Sequence, residues 1–137
     1  MFANAFCLDA DQRRASFERL RREGAHALWI YALGYLGPDG PDLAGASLLT
    51  GLRLEVSPGK QGTVGAGPLA GLEWGTPVEV RPRLAVADPQ AETLGHYQTD
   101  GLVSAARTDA PGYGSVFLAD LSLTPQVLQR LLATEAP

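Results

Sequence analysis

His26-Ala27-Leu28-Trp29-Ile30-Tyr31-Ala32 is apolar almost without alternation, the pattern of a strand covered on both faces rather than one with a wet side. Upstream, the apolar run 2–7 precedes Asp9-Ala10-Asp11-Gln12. There Asp9 serves as N-cap and Gln12 as its capping-box partner. The helix so started reaches about Glu23 and turns Ala10, Phe17 and Leu20 inward. Asp11 lies near its positive end, Arg19, Arg21 and Arg22 near its negative end, and Gly24 stops it. Strand, capped helix and apolar strand together predict a right-handed parallel βαβ unit in an α/β domain.

Downstream, Gly34, Gly37, Pro38 and Gly40 end the strand in a loop, followed by a short helix near Leu43 to Leu49. Loops at the carboxyl ends of parallel strands are where ligands gather, so Tyr31 to Asp39 is the first place to look for chemistry, with Tyr31, Tyr35 and Asp39 as candidate ligand-binding residues. Leu52 to Val56 alternates as a strand. Ser57 to Pro77 is so rich in glycine and poor in core formers that it reads as a long surface loop. Strands are expected at Val78 to Ala87, Thr93 to Tyr97, Gly101 to Arg107 and Ser115 to Asp120, separated by Asp88-Pro89, a hairpin at Asp100-Gly101, and Pro111-Gly112. Thr124 caps a last helix with Pro125 in its first turn, and Val127, Leu128, Leu131 and Leu132 form its apolar face.

A length of 137 residues supports one domain, and 45% hydrophobic against 19% charged residues is a folding composition. Fifteen acidic against eleven basic groups leave a net charge of −4, with no excess of positive charge to grip phosphates, so nucleic acid is not an expected partner. No apolar run approaches the ~20 residues that cross a bilayer, and the start lacks the pattern of a signal peptide. Cys7 is the single cysteine. It cannot form an internal disulfide, which fits a reducing, cytoplasmic location.

Leu28-Trp29-Ile30-Tyr31-Ala32-Leu33-Gly34-Tyr35 resembles the nucleophile turn of class I glutamine amidotransferases, where a buried strand leads into Cys-Leu-Gly-His; Ala32 stands at the cysteine position. A closer resemblance is to the catalytically silent amidotransferase-like domains beside the barrel of family 42 β-galactosidases. It rests on the Asn4-Ala5-Phe6 to Asp11-Gln12-Arg13 strand and helix, Trp29-x-Tyr31-Ala32-x-Gly34-Tyr35, Asp88-Pro89 with Leu94-Gly95-x-Tyr97, and Ser115-Val116-Phe117 leading to Leu123-Thr124-Pro125. The resemblance implies a three-layer flavodoxin-like fold, a mainly parallel sheet with an antiparallel C-terminal extension. It also implies a single domain over residues 1–137, truncated by the one or two βα units that the family places before Phe2. The implied function is a non-catalytic module for assembly or interdomain contact in a carbohydrate-associated protein; the alternative is a domain that binds a small ligand, such as a sugar, in the Tyr31 to Asp39 crevice. If those units are missing, apolar surface around Phe2, Phe6 and Trp74 is left uncovered, so a homo-oligomer or a host domain is the expected partner.

With Ala32 in place the amidotransferase route lacks its thiolate, and no catalytic residue is expected. Cys7, the alternative thiol, would sit at the carboxyl end of the first strand, and it reads as a small buried hydrophobe before it reads as the nucleophile of a hydrolase. His26 and His96 each stand alone, with no second ligand at metal spacing, so neither a metal nor a cofactor is expected. Asp39 with Asp42, and Asp88 with Glu92, read as turn and cap residues before they read as a glycosidase pair. Gly65-Ala66-Gly67-Pro68-Leu69-Ala70 matches a dinucleotide fingerprint in letters only, because Pro68 interrupts it and neither a leading strand nor a following helix is expected.

Overall fold

The computed structural model describes residues 7–135. The first helix, α1 (Ala10–Glu23), begins as the sequence predicts. Asp9 Oδ1 accepts from Gln12 N at 2.8 Å and Asp9 N donates to Gln12 Oε1 at 2.9 Å, while Gly24 closes the helix in the left-handed region. Leu20 is its buried residue and Phe17 is half-buried, but Ala10 is exposed. The strand expected before α1, with Phe2 and Phe6, lies outside the described residues, so the βαβ unit does too.

β1 (His26–Ile30) leads through a two-stranded ribbon, β2 (Leu36–Gly37) and β3 (Gly40–Pro41), to α2 (Leu43–Thr50), capped by Asp42. After β4 (Leu54–Val56) the chain forms β5 (Thr63–Gly65), a 3-10 turn (Gly67–Leu69), β6 (Glu73–Trp74) and β7 (Leu84–Val86). Then come β8 (Glu92–Tyr97), β9 (Val103–Ala110), β10 (Tyr113–Leu118) and α3 (Pro125–Glu135). The main sheet has six strands in the order β1-β10-β9-β8-β5-β6, and β4 pairs with β7 in a separate ribbon.

The expected flavodoxin-like, mainly parallel sheet is not what forms. In the main sheet only β1 and β10 run parallel, with Trp29 beside Phe117; every other pairing is antiparallel. The reason is in the connections. Turns at Asp100-Gly101 and Pro111-Gly112 are too short for a crossover, so β8, β9 and β10 must fold as a meander. The mixed α/β class stands, and the parallel arrangement reduces to one pair.

Ser57 to Pro77 is not a surface loop. Its strands β5 and β6 extend the sheet beyond β8, and Gln61, Thr63, Leu69 and Trp74 are buried. Trp74, expected on an uncovered surface, is 3% exposed. Room for it comes from Gly95, where a β-carbon would lie 2.9 Å from Trp74 Cη2 and 2.6 Å from Thr63 Cγ2. Conversely, the strand expected over Val78 to Ala87 shortens to β7.

The sheet carries a core on each face, which alternation along its strands sorts. Ala27, Trp29, Tyr113 and Phe117 pack with Leu20 of α1, Leu49 of α2 and the β4–β7 ribbon. Val116, Leu118, Leu94 and Trp74 pack with Leu69 and with Val127 and Leu131 of α3. Trp29 is fully buried, and its Nε1–H donates to Ser115 Oγ at 2.9 Å.

Candidate functional site

The loop after β1 opens with Tyr31, whose φ of 62° makes it the one described non-glycine residue in the left-handed region. That conformation is uncommon for a bulky side chain, and two hydrogen bonds hold it: Tyr31 N to Leu118 O at 2.8 Å and Tyr31 Oη to Pro82 O at 2.9 Å. Burial, with Tyr35 nearby adding to it, raises the Tyr31 hydroxyl above its ordinary pKa. Tyr31 and Tyr35 are both half-buried against the core. Asp39 is exposed in the turn between β2 and β3. The structure thus brings the two tyrosines together and leaves Asp39 at the tip of a ribbon.

Ala32 is 1% exposed, its methyl group part of the core. His26 opens β1, at the other end of that strand, and His96 is exposed on β8 with Nδ1 3.1 Å from Gly101 O. Cys7, expected as a small buried hydrophobe, is instead exposed, paired through its backbone with Leu36 in a parallel β-bridge. No group of three or more His, Cys, Asp or Glu side chains suited to a metal occurs among the described residues. A strand, β5, does lead into Gly65, contrary to expectation, but the next element is one 3-10 turn containing Pro68, so no long helix offers its amides to a pyrophosphate.

The polar groups that the fold does collect lie elsewhere. Asp120, just past β10, is fully buried: Oδ1 accepts from Gly62 N at 2.8 Å and Oδ2 from Thr63 Oγ1 at 2.5 Å. Thr63 Oγ1 also meets Ser104 Oγ at 2.7 Å. Burial raises the Asp120 carboxyl above its ordinary pKa, and the bonds from Thr63 and Gly62, with Arg83, offset part of that. Gly75, at φ 81°, has no β-carbon because Asp120 Oδ1 already fills that position.

Arg83 is the second buried charge. Nε donates to Ser57 O at 2.6 Å, one terminal nitrogen to Lys60 O at 3.0 Å, and the other to Asp100 Oδ2 at 2.5 Å and Ser57 Oγ at 3.2 Å. The guanidinium sits 4.2 Å from the centre of the Tyr97 ring, whose hydroxyl donates to Leu84 O at 2.6 Å. Burial, with Asp120 adding to it, pushes the Tyr97 hydroxyl well above its ordinary value. Burial works to raise Asp100 as well, but hydrogen bonds from Arg83 and Leu102 N outweigh it and hold the carboxyl below the usual range. Sequence reasoning missed both clusters, because their members are scattered along the chain and only the sheet's pairing unites them.

Three cavities stand out on the surface of the described residues. One of about 480 Å³ lies over the amino-terminal half of β10, lined by Glu92, Arg107, Asp109 and Gly114 among others. A shallower one of about 380 Å³ lies beside Asp88 and Val103. The third, about 410 Å³, lies between the β5–β6 edge and the link from β10 to α3; Glu73, Trp74, Gln98, Ser122 and Thr124 line it. None of the three is lined by Tyr31, Tyr35 or Asp39. A tryptophan set in the glycine-rich stretch 57–77 was the signal that could have drawn attention to the third.

The architecture is a mixed α/β fold built on a mostly antiparallel sheet. A solved structure that shares it is the crystal structure of β-galactosidase from Bacillus circulans sp. alkalophilus, with a TM-score of 0.65 and 17% sequence identity over 94% of this chain. The match covers 21% of that chain, so the present protein spans about a fifth of the β-galactosidase it resembles. No protein-family model and no curated protein matches the sequence. At this identity the likeness is one of fold, and it agrees with the sequence resemblance as far as a β-galactosidase goes.

Proposed function

We propose that this chain is a non-catalytic module of the amidotransferase-like kind that serves assembly or interdomain contact in a carbohydrate-associated protein. The observation that carries the reading is the fold match to a fifth of a β-galactosidase, in which the same architecture is part of a longer chain. The position equivalent to the amidotransferase thiol supports it, because Ala32 offers a buried methyl group and His26 lies at the opposite end of β1. A module of this kind contributes surface rather than chemistry. Exposed apolar side chains such as Leu48, Leu121 and Leu132 are 70%, 55% and 73% accessible and supply some of it.

The form of contact to which this reading commits is self-association. Light scattering coupled to size exclusion at micromolar concentration is expected to give at least twice the 14.5 kDa chain mass, most simply as a two-fold dimer. A monomer at every concentration overturns assembly as the role. Turnover of glutamine or a simple ester that is lost in Cys7→Ser overturns the non-catalytic half.

A further inference from the structure

The apolar face of α3 is wider than the sheet beneath it covers. Val127 and Leu131 are 0% and 4% exposed in the second core, Leu128 is half-buried, and Leu132 is 73% exposed. At about 100° per residue, Val127 and Leu131 face the sheet, Arg130 lies on one flank, and Leu128 and Leu132 lie on the other. Arg130 fixes the directions, because its guanidinium donates to Pro68 O at 3.2 Å, in the 3-10 turn between β5 and β6. Those strands end the sheet opposite β1, so the leucine flank overlooks β10 and β1. There Leu28 and Ile30 of β1, both half-buried, stand in register with Val116 and Leu118 of β10, which belong to the core under α3.

No charge interrupts this strip. From Leu121 to Thr134 the one charged residue is Arg130, which is turned away, whereas eight of the fourteen residues of α1 are charged. The outer side of α1 is thus made for water, and this flank of α3 is not. Leu48, 70% exposed on α2, is a different case. The positions three and four away from it are Ala44, Gly45, Gly51 and the buried Leu52, so it stands alone, as single exposed apolar residues commonly do. Leu132 has Leu128 one turn behind it and β1 alongside.

Charge points to the occupant. Each chain carries a net charge of −4, so two copies repel wherever their acidic groups face one another and close most readily where neither presents one. The leucine flank of α3 meets that condition and is complementary to itself. A two-fold axis across the helix lays two copies of α3 antiparallel, with Leu128 of one against Leu132 of the other and their macrodipoles opposed. We propose that Leu128 and Leu132 of α3, with Leu28 and Ile30 of β1 beside them, form the surface through which two copies of this chain pair. The proposal rests on the assembly reading and gives that contact a location and a symmetry.

Leu48 supplies the control for the test. Sedimentation equilibrium of the whole chain at micromolar concentration reads the dimer dissociation constant. Leu132→Glu and Leu132→Lys, at a position the fold leaves exposed, are expected to keep the circular dichroism of the wild type. Each is expected to weaken the dimer at least about tenfold, because a charge is then buried at the contact. Leu48→Glu is expected to dimerise as the wild type does. An equimolar mixture of the two Leu132 variants is expected to regain dimer, since opposite charges then meet across the axis. The surface is overturned if Leu132→Glu dimerises like the wild type, if Leu48→Glu weakens the dimer as much, or if the mixture holds no more dimer than either variant alone. A wild-type chain that stays monomeric overturns assembly itself and this surface with it, so the two failures are distinguishable.

Discussion

Asp120 and Asp100 are two aspartates that the same fold treats in opposite ways. Burial raises the Asp120 carboxyl despite hydrogen bonds from Thr63 and Gly62. Its proton is therefore held more tightly in the folded state than in the unfolded chain. The stability it confers is complete below the ordinary carboxylate range, about pH 4, and is lost as pH rises through the folded pKa. Asp100 is the reverse: burial works to raise it, but Arg83 and Leu102 N win and hold it low. Its contribution is present above the ordinary value and is lost as pH falls through the folded one. Urea midpoints measured across pH are expected to separate the two. Asp120→Asn should flatten the decline on the alkaline side of about pH 4, and Asp100→Asn the decline on the acid side. If each variant instead shifted the whole profile without changing its shape, the assignment of these titrations would be wrong.

Elements with self-contained local signals are legible in the sequence. Asp9, Gln12 and Gly24 bound α1, Thr124 and Pro125 start α3, and Asp100-Gly101 turns β8 into β9, all by interactions within a few residues. β5 and β6 carry no such signal. They have three and two residues and become strands only because β8 supplies hydrogen bonds to β5 and β5 to β6, so their stretch looks like a loop. Among the candidate sites the third cavity suffers similarly, because Trp74, Gln98 and Ser122 meet only after the sheet has formed. β1 lies between these cases: its apolar run is readable, but its single parallel neighbour is not. Burial of Trp29 on that strand is expected and is complete. Trp29→Ala should cost about 3–5 kcal/mol, since it opens a large cavity and leaves Ser115 Oγ without that donor. A nearly unchanged denaturation midpoint would show that the β1–β10 contact contributes little.

For the molecule as a whole, β10 is the strand on which everything else leans. β1 pairs on one side and β9 on the other, while Phe117 faces one core and Val116 and Leu118 the other. Amides that open only with the whole structure exchange slowest. Those of Ser115 to Leu118 are therefore expected to set the upper limit of protection, with β6 at the end of the described sheet exchanging sooner. Faster exchange in β10 than in α1 would break this ordering. The parallel pairing of β1 with β10 also has a consequence during biosynthesis. The ribosome makes β1 early, yet its partner comes after eight further strands. At about 5–20 residues per second, the Ala27 to Ile30 segment waits several seconds in the nascent chain before Ser115 to Leu118 can cover it. Throughout that interval Trp29 and Leu28 are a hydrophobic segment open to chaperones, and the meander of β8, β9 and β10, closed by short turns, is the template on which the early strand finally docks.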